Sequence, residues 1–175
     1  MADIVVYIAH SIDGYIADRA GGIGWLTPFD SYDFGYDAFL AKIDAIVMGS
    51  KSYRDVRGFG AWPYPGRSTV VMTKGPPIDG DGHAVFDDRT PAEIVEDLIH
   101  AGRKRIWVVG GGGVIRAFLD ACLIKQLILF QIPVILGAGT PLWPPGRRSV
   151  AVTLRRSATH ANGVVETEYV IDAGR

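Results

Sequence analysis

The sequence predicts an α/β fold of three layers, in which helices cover both faces of a mostly parallel central sheet and an antiparallel hairpin ends the chain. Apolar runs rich in β-branched residues alternate with amphipathic helical patterns, which is typical of a parallel sheet. An Asn162-Gly163 pair then separates two strand-like segments, which is a hairpin signal. Because there is no internal repeat and no linker, residues 1–175 are predicted to form a single domain.

The first half of the chain is predicted to contain three strands and two helices. The strands are apolar runs at residues 4–9, 45–48 and 68–73. A helix is expected from about residue 32 to residue 44, where apolar side chains follow helical spacing, and a short helix is expected from Gly49 through Tyr53. Residues 15–17 are too short to stand as an element, and residues 21–28 and 58–66 are predicted loops.

The second half continues the alternation after a loop at residues 75–82. Thr90, Pro91 and Glu93 form a helix start, and Gly102 ends that helix. A further helix has an apolar stripe that runs from Val114 to Cys122. The predicted strands are residues 84–86, 105–109, 127–135, 150–159 and 164–171.

Composition excludes several classes of partner. The 175 residues are 48% hydrophobic and 21% charged, which suffices for one hydrophobic core and argues against extended disorder. The net charge of −1 gives no field that would attract nucleic acid or an anionic membrane. No membrane-span-length apolar run and no leader pattern are present, so we expect a cytoplasmic protein. The lone Cys122 excludes an intrachain disulfide, and its apolar helical pattern predicts a core position.

Four consecutive glycines, residues 110–113, lie between a predicted strand and a predicted helix. Glycine lets the backbone approach a ligand closely, and a helix N-terminus attracts anions, so a nucleotide pyrophosphate suits this place as well as a plain flexible turn does. No Gly-Lys-Ser/Thr follows, which excludes the phosphate loop of nucleotide hydrolases, and Ile115 stands where the Rossmann fingerprint needs a third glycine. A second strand–glycine–helix junction lies at residues 47–53.

Read together, these segments resemble the dihydrofolate reductase fold across the whole chain. The segments that carry the resemblance are residues 46–53, 65–74 and 106–114, in the order and spacing of that fold. Ser-Ile-Asp-Gly-Tyr-Ile-Ala at residues 11–17 and Pro-Val-Ile-Leu-Gly-Ala-Gly-Thr-Pro-Leu at residues 133–142 are closer still to the reductase domain of the riboflavin-pathway deaminase-reductase. One cysteine and four scattered histidines supply no zinc deaminase signature, so no metal site is expected.

The resemblance implies an NADPH site and a peptide between Gly110 and Gly111 that is often cis in this fold. The implied cofactor residues are Ala9, Ile16, Gly49, Ser50, Lys51, Ser52, Thr73, Lys74, Gly110, Gly111, Gly112, Gly113 and Val114. Relatives commonly carry arginine where Ser50 stands, which predicts only a modest preference for NADPH over NADH.

On the substrate side, the resemblance implies Trp25 and Phe39, and it places Phe130 where folate reductases have a threonine that orients the active-site acid. Other contacts are expected from residues 25–37 and 59–64. Counting from Trp25 selects Asp30 as the catalytic acid, whereas counting back from Gly49 selects Asp33, and Arg67 is either a ligand for an anionic group or an exposed turn residue.

The sequence therefore leads to two functional hypotheses. The first is an NADPH-dependent reductase of a pterin or ribosylaminopyrimidine-like heterocycle, a homodimer by analogy with relatives. The second is a nucleotide- or folate-binding protein of the same fold with weak or no turnover, which the residues at positions 50 and 130 favour.

Overall fold

A computed structural model describes residues 2–75 and 82–171. In chain order, the elements are β1 (Asp3–Ser11), β2 (Tyr15–Asp18), a 3-10 helix (Gly24–Phe29), α1 (Tyr36–Leu40), β3 (Ala45–Gly49), α2 (Ser50–Arg57), β4 (Ser68–Met72), β5 (Val85–Asp87), α3 (Pro91–His100), β6 (Arg105–Gly110), α4 (Gly112–Asp120), β7 (Gln126–Ile132), β8 (Gly139–Pro141), β9 (Thr153–Thr159) and β10 (Val165–Val170). None of the helices in these two stretches combines the length and hydropathy that a bilayer crossing needs.

Eight strands form the central sheet in the order β5-β4-β3-β6-β1-β7-β10-β9. Every neighbouring pair from β5 to β7 is parallel, whereas β10 runs antiparallel to both β7 and β9. This arrangement confirms the predicted parallel sheet with a C-terminal antiparallel hairpin. Strands β2 and β8 form a separate antiparallel pair.

The three layers follow from the alternation of side chains along the strands. On β1, Val6 packs into a core with Ile94 of α3 and Phe118 of α4. The neighbouring Val5 points to the other face and packs in a second core with residues of α1 and α2, among them Tyr53. Helices therefore cover both faces, as predicted.

The prediction that residues 15–17 form no element was wrong. They belong to β2, whose partner β8 was not predicted either, because each strand pairs with a segment more than 120 residues away. A Cβ atom on Gly139 would lie 2.0 Å from the carbonyl oxygen of Ala17, so glycine is needed where these strands meet.

Several predicted boundaries also differ. The helix expected from residue 32 begins only at Tyr36, because Gly35 adopts a left-handed conformation with φ of 74°. Strand β7 ends at Ile132, directly before a proline that cannot donate to the ladder. Helix α2 continues beyond Tyr53 to Arg57, and β9 begins at Thr153 rather than at residue 150.

Two further predictions have different outcomes. Cys122 is exposed just beyond α4, with φ of 59°, so the predicted core position was wrong. The capping box of α3 is confirmed: the Glu93 N–H donates to Thr90 Oγ1, and the Thr90 N–H donates to the Glu93 carboxylate at 3.0 Å. Residues 76–81 of the predicted loop lie outside the described residues.

Two adjacent glycines of α4 predict opposite responses to alanine. A Cβ on Gly112 would lie 2.3 Å from the carbonyl oxygen of Pro141, whereas one on Gly113 would meet nothing within 4 Å. Gly112→Ala should lower the free energy of unfolding by roughly 1–3 kcal/mol through overpacking. Gly113→Ala should leave it unchanged or raise it by up to about 1 kcal/mol through helix propensity. Urea denaturation of both variants tests this, and equal midpoints would contradict the packing described here.

Candidate active site

The carboxyl ends of β3 and β6 lie side by side, because these strands are parallel neighbours with Met48 opposite Gly110. Helix α2 begins directly after Gly49, and α4 begins directly after Gly111. Neither of these N-cap glycines provides a side-chain capping bond. Two helix N-termini, each with unpaired N–H groups and a partial positive charge, therefore face the same edge of the sheet.

A cavity of about 440 Å³ opens at this edge, and we call it the glycine cavity. The predicted cofactor residues that line it are Ala9, Ile16, Gly49, Lys51, Ser52, Gly110 and Gly111. The peptide between Gly110 and Gly111 is cis, as the resemblance implied. A Cβ added to Gly111 would meet only Ile16 Cδ1, at 4.0 Å, so the backbone at this position is open to a ligand.

The other predicted cofactor residues surround the glycine cavity without lining it. Ser50, Gly113 and Val114 belong to the first turns of α2 and α4, and a Cβ on Gly49 would lie 3.3 Å from Val114. Gly112 is buried against the segment after β8. Thr73 and the exposed Lys74 follow β4 at the same edge, one residue beyond the pairing of Gly49 with Met72.

The Lys51 ammonium already has protein partners. Its Nζ donates to the carbonyl oxygen of Gly21 at 2.9 Å and to the carboxylate of Asp55 at 2.7 Å. The side chain of Lys51 is about half exposed. Lys51 therefore connects the loop after β2 to α2, and its positive charge is paired with the carboxylate of Asp55.

Asp13 joins the two segments that resemble the riboflavin-pathway reductase. Its carboxylate accepts a hydrogen bond from the Ser11 hydroxyl at 2.6 Å and from the N–H groups of Leu136 and Gly137 at 3.1 and 2.7 Å. The Ser11 hydroxyl in turn accepts the N–H of Tyr15 at 2.9 Å. The Ser11 hydroxyl, assisted by the two backbone N–H groups, holds the pKa of Asp13 below its ordinary value. This clamp fixes the turn before β2 to the turn before β8, and both strands carry side chains to the glycine cavity.

A second cavity, of about 620 Å³, adjoins the first, and we call it the aromatic cavity. The two cavities share Tyr7, Ala9, Leu26 and Tyr36 in their walls. A ligand that fills the glycine cavity as far as these residues would therefore touch a second ligand in the aromatic cavity.

Aromatic side chains build the wall of this second cavity. The ring centroids of Phe130 and Tyr7 are 4.7 Å apart, and those of Phe130 and Phe34 are 5.4 Å apart. Among the described residues, Phe39 lines neither cavity. Its ring stacks on the ring of Tyr7, with the centroids 4.3 Å apart, and supports that wall residue. Phe130 is buried and lies opposite Ala9 in the sheet, so the substrate side presents apolar rings beside the shared wall.

Both candidate acids reach the aromatic cavity. Asp30 and Asp33 line it, and both are exposed to solvent. Asp33 Oδ1 accepts the N–H of Gly35 at 2.7 Å, so one of its oxygens holds the turn before α1. The two alternatives of the sequence analysis thus lie at one site.

Arg67 and Trp25, both expected on the substrate side, make different contacts near the site. The Arg67 guanidinium donates to the carbonyl oxygens of Leu40 and Pro65, at 2.8 and 3.2 Å, and Arg67 is absent from the described walls of both cavities. Its position thus favours the alternative of a turn residue. Trp25 packs against the cluster around Phe130, and its buried Nε1 has no hydrogen-bond partner in the described part of the chain.

Three tyrosines at the site were not identified individually from the sequence. Tyr7, Tyr36 and Tyr64 all line the glycine cavity, and the hydroxyls of Tyr36 and Tyr64 are close enough to influence each other's pKa. Burial raises the pKa of all three, and the Tyr64 hydroxyl acts to lower the pKa of Tyr36.

The only signal in the sequence was the expectation that residues 25–37 and 59–64 face the substrate. Tyr36 and Tyr64 lie within those ranges, but neither range has a periodic pattern that singles out one side chain.

A family profile and a solved structure at 28% identity place this fold in the dihydrofolate reductase-like superfamily. A sequence profile of the RibD C-terminal domain matches residues 2–166. Because this match covers most of the chain, the chain belongs to the RibD C-terminal domain family. The uncharacterized protein YwjB of Bacillus subtilis (strain 168) is 33% identical over 141 residues, which cover 79% of this chain and 81% of YwjB.

Solved structures agree with this assignment. A protein from Shewanella sp. PV-4, described provisionally as a riboflavin biosynthesis protein, has a TM-score of 0.88 at 28% identity and is matched over 99% of this chain and 100% of its own. The Thermotoga maritima deaminase and 5-amino-6-(5-phosphoribosylamino)uracil reductase has a TM-score of 0.77 at 16% identity, over 98% of this chain and 57% of its own. Enterococcus faecalis dihydrofolate reductase, solved with NADP(H), has a TM-score of 0.65 at 19% identity, over 98% and 97%. At 16% and 19% identity, the likeness shows the fold.

The Asp13 clamp predicts a pH-dependent loss of stability. Since folding lowers the pKa of Asp13, its carboxylate stabilises the folded state above the unfolded value of about 3.9, and this contribution is lost as the pH falls through the folded pKa. Asp13→Ala should therefore lower the urea midpoint at pH 7 and lower it less at pH 3. The exposed Asp88→Ala serves as the control. An equal effect of Asp13→Ala at both pH values would mean that the ionised carboxylate does not hold the turns together.

Proposed function

We propose that the chain is an NADPH-dependent reductase of a pterin or ribosylaminopyrimidine-like heterocycle. The observation that carries the proposal is the junction of the two cavities. One is built from two helix N-termini, the other from aromatic rings, and they share a wall at Tyr7, Ala9, Leu26 and Tyr36. A dinucleotide in the first cavity would lie against a flat heterocycle in the second.

The glycine cavity fits the diphosphate of a dinucleotide. The N-termini of α2 and α4 attract anionic oxygens, and the open backbone at Gly111 allows close approach. Gly49, Ser52, Gly110 and Gly111 would hold the phosphates, while the backbone of Ala9 and Ile16 would hold the nicotinamide end. NADPH would supply a hydride at the shared wall, and the chain's own residues must orient the acceptor and deliver a proton.

The preference for NADPH over NADH should be modest. Because Lys51 is paired with Asp55, the groups available to bind the 2′-phosphate of NADPH are the exposed Lys74 and the hydroxyls of Ser50 and Thr73. An ammonium meets a phosphate as a point charge, without the planar fork of arginine.

Tyr36 is the polar group of the protein best placed at the shared wall. It lines both cavities and lies beside the buried Tyr64, whose hydroxyl acts to lower its pKa. We assign it the role of hydrogen-bond donor to the substrate atom next to the carbon that accepts hydride. Asp30 and Asp33, at the solvent-exposed mouth, are the carboxylates that can return the proton.

The alternative is a nucleotide- or folate-binding protein with weak or no turnover. It is favoured by Phe130, which offers no hydrogen bond to an acid, and by Ser50, which stands where relatives commonly carry arginine. NADPH oxidation across a panel of pterins and aminopyrimidines separates the two hypotheses.

Gly111 provides the test of the cofactor site. In Gly111→Val the side chain projects into the glycine cavity, so calorimetry should detect no NADPH binding. Ala92→Val, at an exposed position of α3 outside the described walls of this cavity, should bind NADPH with nearly the parent affinity. Unchanged binding in a folded Gly111→Val protein would refute the placement of the diphosphate.

Tyr36 provides the test of the catalytic site. Tyr36→Phe should lower the kcat for NADPH oxidation on the order of 100-fold, because it removes a donor that acts in the transition state. Tyr32→Phe, at the exposed rim of the aromatic cavity, is the matched control and should behave like the parent. Asp30→Asn and Asp33→Asn, assayed beside them, decide which carboxylate takes part. Full activity of all three site variants, Tyr36→Phe and the two asparagines, would remove these groups from the mechanism.

A further inference from the structure

The aromatic cavity carries charges of one sign. Three carboxylates lie in its wall, those of Asp30, Asp33 and Asp37, and all three residues are exposed around its mouth. Among the described residues that line this cavity there is no lysine, arginine or histidine. All three belong to residues 30–37, so a ligand arm that leaves the cavity past this segment meets negative charge.

Two basic residues in the described part of the chain near this cavity, Arg67 and His160, already have protein partners. The Arg67 guanidinium is used by backbone carbonyl oxygens, including that of Leu40. His160 packs edge-on against Tyr32 and Phe34 of the cavity wall, but its Nε2 lies 3.0 Å from the buried carboxylate of Glu166.

Arg156 is bound to the same Glu166 carboxylate and lies 3.9 Å from Glu168. This cluster therefore has two carboxylates for one arginine and one histidine. It provides no net positive charge that would balance the three aspartates.

A phosphorylated substrate would place a dianion beside these carboxylates. The repulsion of each charge pair is small in water but adds over three aspartates, and it is strongest at low ionic strength, where the Debye length is about 30 Å. A flat ring without such an arm instead meets the aromatic side chains of Tyr7, Phe34 and Phe130 that line the cavity.

We infer that the aromatic cavity takes an uncharged or cationic flat heterocycle and discriminates against substrates with a phosphate or carboxylate arm. The inference rests on the proposed function, since it names the substrate class of that site. It separates this chain from a reductase of a phosphoribosylamino compound, which the Thermotoga maritima protein is described to be, and it disfavours dihydrofolate, which ends in a glutamate dicarboxylate.

The experiment compares matched ligands that differ only in a phosphate. The probes are 5-amino-6-ribosylaminouracil with and without its 5′-phosphate, and dihydroneopterin with and without a phosphate. Binding to the protein loaded with NADP⁺ is measured by calorimetry, and NADPH oxidation is measured separately. At 10 mM salt, at least one unphosphorylated ligand should bind about tenfold more tightly than its phosphate ester, and the ratio should fall toward one at 0.5 M salt.

Charge variants test whether the aspartates cause the discrimination. Asp37→Asn should reduce the binding ratio at 10 mM salt, and Asp37→Lys should reduce it further or invert it. Glu96→Gln and Glu96→Lys make the same charge changes at an exposed position of α3, on the opposite face of the sheet, and should leave the ratio unchanged.

The outcomes separate this inference from the proposed function. Selective binding of unphosphorylated ligands without NADPH oxidation would support the inference and refute the reductase. Tighter binding or faster turnover of the phosphate esters would overturn the inference and leave the reductase standing. Failure of all four probes to bind, or a ratio that neither salt nor the Asp37 variants change, would also overturn the inference.

Discussion

The parallel pairing of β3 with β6 is the constraint on which the candidate site depends. It brings Gly49 and Gly110 to one edge of the sheet, and the helices that follow begin there without side-chain caps. A capping side chain or a Cβ at Gly111 would satisfy or cover the N–H groups that otherwise remain for an anion. The glycine run is thus used in two ways, since Gly111 leaves room for a ligand while Gly112 leaves room for the backbone at Pro141.

The second support of the site comes from outside the central sheet. The Asp13 clamp and the β2–β8 pair hold two turns together that are more than 120 residues apart in sequence. Through them, Ile16 and Thr140 reach the glycine cavity. The two segments with the clearest family resemblance are therefore parts of one wall of the glycine cavity, and Asp13 joins them.

The structure was predictable from the sequence where an element depends on interactions between residues close in the chain. Alternation of apolar runs and amphipathic patterns predicted the layers and most elements, and the capping box at Thr90 predicted the start of α3. The sequence was insufficient where an element depends on a distant partner, as β2 and β8 do, or where a position in a loop is decided by packing. Tyr64 belongs to a loop without periodicity and Tyr36 begins α1, and only the folded chain brings their hydroxyls close to each other. Arg67 is a similar case, because it donates to the carbonyl oxygen of Leu40, which lies at the end of α1 and is not near it in sequence.

The central claim is that the two cavities form one active site with the nicotinamide at their shared wall. A crystal structure of the protein with NADP⁺ tests it most directly. We expect the diphosphate to lie against Gly49 and Gly110–Gly111, with the nicotinamide ring between Ala9 and Tyr36 at the entrance to the aromatic cavity. A dinucleotide bound elsewhere, or with its nicotinamide directed away from Tyr36, would contradict it.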